Sequence, residues 1–266
     1  MKEFFATLLS NSSMSLFPNN KTSSFTVQLP EKITLNGSWS VGVAEIHYNY
    51  NFFNVTPNNN CVITERHESS TPSRIPSKTK RIFTTNITPG YYTSVQDLVD
   101  TVNNELKHHG ITPAMSLLSI DKINNRTIVN RRSIDQDLEN VSFQGRLAMQ
   151  LGFEPGENVL KHELSPHVGN IFFGVPNQML IYTDIIEPTY IGHEKAYVMK
   201  IINTNVHTHK FGDSCYKEYS HIHYMPVQKR EFESISVDIR DYTGAFIPFQ
   251  HGILTIKLHF KKNGSQ

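Results

Sequence analysis

The chain carries 13 histidines, and their spacing is the first place to look for chemistry. His207 and His209 are separated by one residue, as are His221 and His223. Residues two apart on a β-strand point to the same face. Two such strands side by side would present four imidazoles, with Cys215 between the pairs in sequence. That is a donor set for a metal ion, and with it for a metal-dependent enzyme. Clustered imidazoles would equally make a pH sensor, since they charge together near pH ~6. The plainer reading is polar, outward positions in a stretch rich in Lys, Asp and Tyr. No metal is assigned, and His207, His209, His221 and His223 stand as the metal candidates.

Other chemistry is sought and not found. His162-Glu163 resembles the start of a zinc-protease helix motif, but the next histidine is His167 and Pro166 would break the helix, so the two rings would not share a face. There is no glycine cluster followed by Lys to cradle phosphate and no Gly-x-Ser-x-Gly elbow. Asp184 and Glu187 flank Ile185-Ile186 ahead of Pro188, which suits a strand-end turn as well as an acid/base pair. Asp238, Arg240 and Asp241 read as a charge cluster on a solvent face. Tyr48, Tyr50, Phe52 and Phe53 have no basic strip beside them and read as core or interface packing. The chain is therefore expected to have no catalytic residues and no cofactor, and to be no enzyme.

Composition narrows the partners. Lys plus Arg is 25 and Asp plus Glu is 24, a net charge of +1, so no global field draws the chain to nucleic acid, and no specific nucleic acid is expected. Apolar runs such as Ile171-Phe172-Phe173 fall far short of the ~20 residues of a membrane helix, and no membrane is expected. Phe4 to Leu9 after Lys2 is too short an apolar run for a signal peptide, and no clean small-residue cleavage site follows. Cys61 and Cys215 permit one disulfide but no framework, which suits a reducing, intracellular setting. The Asn-x-Ser/Thr triplets are then products of an Asn- and Thr-rich chain.

These residues must be held by elements, and the pattern is mainly strands. A chain of 266 residues makes one large domain or two small ones. Phe25, Val27 and Leu29 alternate with polar residues until Pro30, and Asn36-Gly37 marks a turn. Trp39 to Ile46 is apolar or small on both faces, as in a central strand. Cys61 to Ile63 predicts a short strand, and Glu65–Arg81, rich in Ser, Thr, Pro and Lys, an exposed loop.

The texture then changes. Thr93 or Ser94 caps a helix carrying Val95, Leu98, Val99, Val102 and Leu106, ended by Gly110. A hairpin turns near Asn124-Asn125, and a short helix from Phe143 to Leu151 closes at Gly152. Strands return at Gln178–Tyr182 and Tyr197–Ile202. Two alternating runs close the chain, one on Ile235, Val237 and Ile239, the other on Leu254, Ile256 and Leu258. Each has one dry and one wet face, as in an antiparallel sandwich.

Taken in order, these segments resemble a known family. Phe5-Ala6-Thr7-Leu8-Leu9-Ser10-Asn11 leads to Phe17-Pro18-Asn19-Asn20, then Ser24-Phe25-Thr26-Val27-Gln28-Leu29-Pro30 and Trp39-Ser40-Val41-Gly42-Val43-Ala44-Glu45-Ile46. Pro89-Gly90-Tyr91-Tyr92 and Leu147-Ala148-Met149-Gln150-Leu151-Gly152-Phe153 follow. Ile181-Tyr182-Thr183-Asp184-Ile185-Ile186-Glu187-Pro188 and Asp238-Ile239-Arg240-Asp241, with Ile247-Pro248-Phe249 and Leu258-His259-Phe260, complete the series. The series resembles the minor capsid, or penton, proteins of Polinton (Maverick) elements and adintoviruses. Each piece alone is a generic strand-and-turn phrase; their order is specific.

The resemblance implies a mainly β fold: an antiparallel single jelly-roll sandwich formed by residues 1–88 and 165–266, with an inserted α+β segment at 89–164. It implies a virion structural protein assembled inside the host cell. Five copies would form a homopentamer at the fivefold vertices of an icosahedral capsid, beside a double jelly-roll major capsid protein. Such a ring needs a head-to-tail interface and a stiff wedge. The expected core is Trp39, Val41, Val43, Ile235, Val237, Ile239, Leu254, Ile256 and Leu258. The alternative is a jelly-roll binding module for glycan or receptor attachment, displayed on a particle or domesticated by a host. It would use Tyr91, Tyr92 and the loop at Glu65–Arg81.

Overall fold

The structure, a computed structural model, describes residues 2–69, 78–110, 116–131 and 137–264. Three long strands open the chain: β1 (Glu3–Leu9), β2 (Ser24–Thr34) and β3 (Trp39–Tyr50). Then come β4 (Cys61–Ser69), β5 (Lys78–Asn86), α1 (Val95–His108), β6 (Leu118–Asp121), β7 (Arg126–Val129), β8 (Leu138–Phe143) and α2 (Gly145–Leu151). The remainder is β9 (Gln178–Thr183), β10 (Thr189–Ile191), β11 (Glu194–Ala196), β12 (Val198–Asn203), β13 (Asp213–Glu218), β14 (Met225–Pro226), β15 (Glu231–Arg240) and β16 (Thr255–Lys262). The chain divides into two compact units, Met1–Phe52 with Pro176–Gln266, and Phe53–Val175.

The first unit holds two antiparallel sheets. One runs β1-β16-β3-β13, with β14 added to β3, and the other runs β12-β9-β15-β2. Except from β9 to β12, successive strands of these eight cross from one sheet to the other: β1, β3, β13 and β16 lie in the first, and β2, β9, β12 and β15 in the second. That eight-strand winding is a jelly roll. Each strand shows the reason it was recruited. In β15, Ile235, Val237 and Ile239 are buried and Ser236, Asp238 and Arg240 face outward. A strand with one apolar face must bury it against a second layer.

The nine expected core residues are all buried. Across the layers Phe232 stacks on Phe260 at 5.9 Å between ring centroids, and Phe260 stacks on Phe4 at 4.5 Å. The two closing strands do not pair with each other: β15 lies between β9 and β2, and β16 between β1 and β3.

Pro30 does not end β2. Gln28 pairs with Ser234 and Ile33 with Phe232, so Leu29 to Lys32 face a single residue, Glu233, as a wide irregularity. β2 is an edge strand, and an edge tolerates a residue that cannot donate to the ladder.

The second unit sits in the chain between β3 and β9 and is α+β. It takes in a sheet of order β5-β4-β8 and the hairpin β6-β7 besides the two helices. It therefore begins at Phe53 and includes β4 and β5 as well as residues 89–164, because β4 pairs with β8 from Val62↔Phe143 to Arg66↔Leu138. The expectation of a loop over Glu65–Arg81 is overturned at both ends. β4 continues to Ser69 and β5 starts at Lys78, in register from Cys61↔Asn86 to Ser69↔Lys78. Residues 70–77 of that stretch lie outside the described residues. Ser and Thr discouraged a strand reading there, yet cross-strand pairs such as Glu65–Lys80, 2.6 Å apart, stabilise a polar ribbon.

The helices follow local signals. Ser94 caps α1 by accepting from the Asp97 amide at 3.1 Å. Val95, Leu98, Val99, Val102 and Leu106 form its buried stripe. α2 starts at Gly145, Phe143 being the last residue of β8, and Gly152 ends it in the left-handed region at φ 87°. These faces meet in one cluster with Phe143, Phe153, Val62 and Ile87. Among the described residues no helix is long and apolar enough to cross a membrane.

Val237→Asp would place an unpaired carboxylate in the sandwich interior, a loss of about 4 kcal/mol or more. The expected outcome is insoluble or unfolded protein by circular dichroism. A soluble variant with the parent melting temperature would contradict this packing.

Candidate binding surfaces

The histidine pairs do not sit on adjacent strands. His207 and His209 lie in the turns between β12 and β13, and His221 and His223 in the connection from β13 to β14. Among the described residues no three His, Cys, Asp or Glu side chains are gathered to hold a metal ion. Cys215 is buried in β13 as a free thiol, and its burial pushes the thiol pKa up, which favours the protonated form over the thiolate a metal would need. His209 instead lies 4.0 Å from Asp213 and its ring stands 5.8 Å from that of Tyr50.

The His221–His223 segment has a packing role. It crosses β3 at Gly42, where a Cβ would stand 2.4 Å from the carbonyl oxygen of His223 and 2.5 Å from Cγ2 of Ile222. β14 then pairs with β3 through Met225↔Val41. Gly42 is what lets the backbone come this close to a central strand.

Other polar residues singled out in the sequence also serve the scaffold. Tyr48, Tyr50 and Phe52 are buried, with Tyr50 and Phe52 4.4 Å apart. Asp241 does not join the charge cluster. It is buried, and its Oδ1 accepts from the amides of Thr243 and Ala245 and the Thr243 hydroxyl, which shapes the turn after β15. Tyr91 and Tyr92 are half-buried. Asn54 bonds both backbone groups of Tyr92, at 2.9 and 2.8 Å, and the Tyr92 hydroxyl donates to the Thr88 carbonyl at 2.7 Å. The amide of Gln150, on α2, donates to the Asn54 carbonyl at 2.9 Å and completes this brace. Tyr92 is thereby fixed as part of the scaffold.

The outward face of β9 and β15 carries a cleft of about 560 Å³. Tyr182 on β9 stands directly opposite Asp238 on β15. Asp238 accepts from Arg240 at 2.7 Å and from the Ser24 hydroxyl at 2.8 Å. The Arg240 guanidinium lies 4.2 Å from the Phe246 ring and 5.8 Å from that of Tyr182. Asp184, just past β9, accepts from Lys229 at 2.5 Å and from the Ser236 amide at 2.9 Å. Tyr197 and Gln228 complete the wall. Sequence reading placed Asp184 in a turn and Asp238 with Arg240 on a solvent face. It missed that strand pairing gathers them, since nothing local links residues about fifty positions apart.

No protein-family model matches the sequence, and no curated protein does. Among solved structures, the chain matches the crystal structure of the mavirus penton protein with a TM-score of 0.53, over 98% of this chain and 100% of that one, at 13% identity. The two share a fold. The match spans nearly the whole of both chains, and so is not confined to a sandwich common to many proteins.

Gly42→Ala is expected to cost ~1–3 kcal/mol, since the added carbon meets backbone and cannot be relieved by a rotamer change. At roughly 2–4 °C per kcal/mol for a chain this long, the melting temperature should fall by several degrees. An unchanged melt would contradict the close crossing. A chelator such as EDTA should leave the melting temperature of the parent unchanged, and purified protein should contain no stoichiometric metal by elemental analysis. Bound metal lost on His221→Ala with His223→Ala would overturn this.

Proposed function

We propose that this chain is a virion structural protein, a penton subunit that closes the fivefold vertices of an icosahedral capsid as a homopentamer. The observation that carries the reading is the end-to-end likeness in fold to the mavirus penton protein. The ordered motifs resembling Polinton and adintovirus pentons support the narrower family placement.

The physics of the fold suits the task. A jelly roll whose two sheets share one packed core is stiff, because close-packed interiors resist deformation. A ring of five closes only if each subunit presents two different patches at a fixed angle. A net charge of +1 leaves little repulsion among five copies round an axis. The work is done by shape and buried area and calls for no catalytic residue. The partner at the ring's outer edge would be a double jelly-roll major capsid protein, met during assembly in the host cell.

Native mass spectrometry of the full chain, alone and mixed with such a major capsid protein, tests the proposal. Rings of five, or entry into particles at twelve pentamers each, are the expected outcome. A protein that stays monomeric in both conditions and is absent from particles would refute the reading.

A further inference from the structure

The geometry points to a second role for the outward face of β9 and β15: the cleft bounded by Tyr182, Tyr197, Asp184, Lys229, Asp238 and Arg240 is a binding site for a neutral saccharide. Its volume, about 560 Å³, lies within the ~300–1,000 Å³ typical of small-molecule sites.

The charges select the ligand class. Two carboxylates, Asp184 and Asp238, are matched by two cations, Lys229 and Arg240, each paired within 2.7 Å. The site as a whole is neutral, so neither an anion nor a cation gains from entering it. The paired groups still retain hydrogen-bonding capacity. Each carboxylate oxygen has two lone pairs and accepts one bond, and the Lys229 ammonium has three N–H donors, one of them on Asp184. Acceptors and donors held at fixed spacing by strand register and by the Ser24 and Ser236 contacts suit a ligand whose hydroxyls both donate and accept.

The walls supply the other half. Tyr197 is 44% exposed, and Tyr182 is half-buried opposite Asp238. A sugar presents C–H groups on its ring faces and hydroxyls at its edge, so an aromatic ring beside a band of polar groups matches both. Beside the cleft, the Arg240 guanidinium lies 4.2 Å from the Phe246 ring. Tyr182, Asp238 and Arg240 are held by strands and Asp184 is tied to the Ser236 amide, so these groups stand in place before the ligand arrives, which limits the entropy lost on binding.

This site does not depend on the penton reading: ring formation and saccharide binding are measured separately, and either can fail alone. The test applies the full chain to an immobilised panel of neutral oligosaccharides with glucose, galactose, mannose and N-acetylhexosamine termini, beside sialylated and sulfated ones. Neutral members should bind in preference. The best of them, free in solution, should compete with its immobilised form, which shows that the sugar and not its carrier is read. Tyr197→Ala should weaken binding about tenfold, while Tyr197→Phe, which keeps the ring, should bind within about twofold of the parent. Tyr197 contributes its backbone carbonyl to the Thr183 amide, so both variants should melt with the parent. Absence of binding to every neutral member, preference for the anionic ones, or binding unaffected by Tyr197→Ala would each overturn the assignment.

Discussion

The burial of one face of each sheet of the sandwich against the other is the constraint from which the first unit follows. Neither sheet is stable with its apolar face in water, and among its described residues the first unit has no α-helix of its own to cover one. The two layers must therefore cover each other. Phe260 shows the result: on β16 it stacks on Phe4 of the neighbouring strand and on Phe232 of the opposite sheet. The outward faces are left for water, ion pairs and whatever the protein binds. The cleft on the outward face of β9 and β15 is open because these strands have committed their other face to the core.

The same constraint explains where irregularity is tolerated. Close contact on a central strand demands Gly42, because β3 is paired on both sides and the His221–His223 segment must still cross it. On the edge strand β2, by contrast, Leu29 to Lys32 bulge around Pro30 without breaking a shared ladder. The second unit is inserted in the connection from β3 to β9, where the chain passes from one sheet to the other, and it has its own core around α1 and α2. A connection between sheets accepts a folded insert more readily than a tight hairpin does.

In the proposed capsid role, this arrangement would separate stiffness from recognition. The packed interior holds the outline of the subunit. Partner choice is left to surfaces and loops, which can change without disturbing the core. The histidine-rich turns illustrate the point from the other side. The His221–His223 segment, read as half of a ligand set, follows a backbone path that packs against Gly42.

What the sequence by itself determined was local. The period-two alternation in β15 set which face is dry, and the stripe from Val95 to Leu106 with Ser94 before it set α1 to within a residue or two. Gly37, Asn125 and Gly152 marked turns and a helix end that the structure realises with positive φ. Each of these is governed by neighbours within a few positions. The order β1-β16-β3-β13, the separation of β15 from β16, the extension of β4 and β5 through a polar stretch and the gathering of the cleft were decided only by tertiary structure. Those features join residues such as Phe4 and Phe260 or Asp184 and Ser236. The free energy of such pairings comes from partners far along the chain, and no local periodicity carries that information.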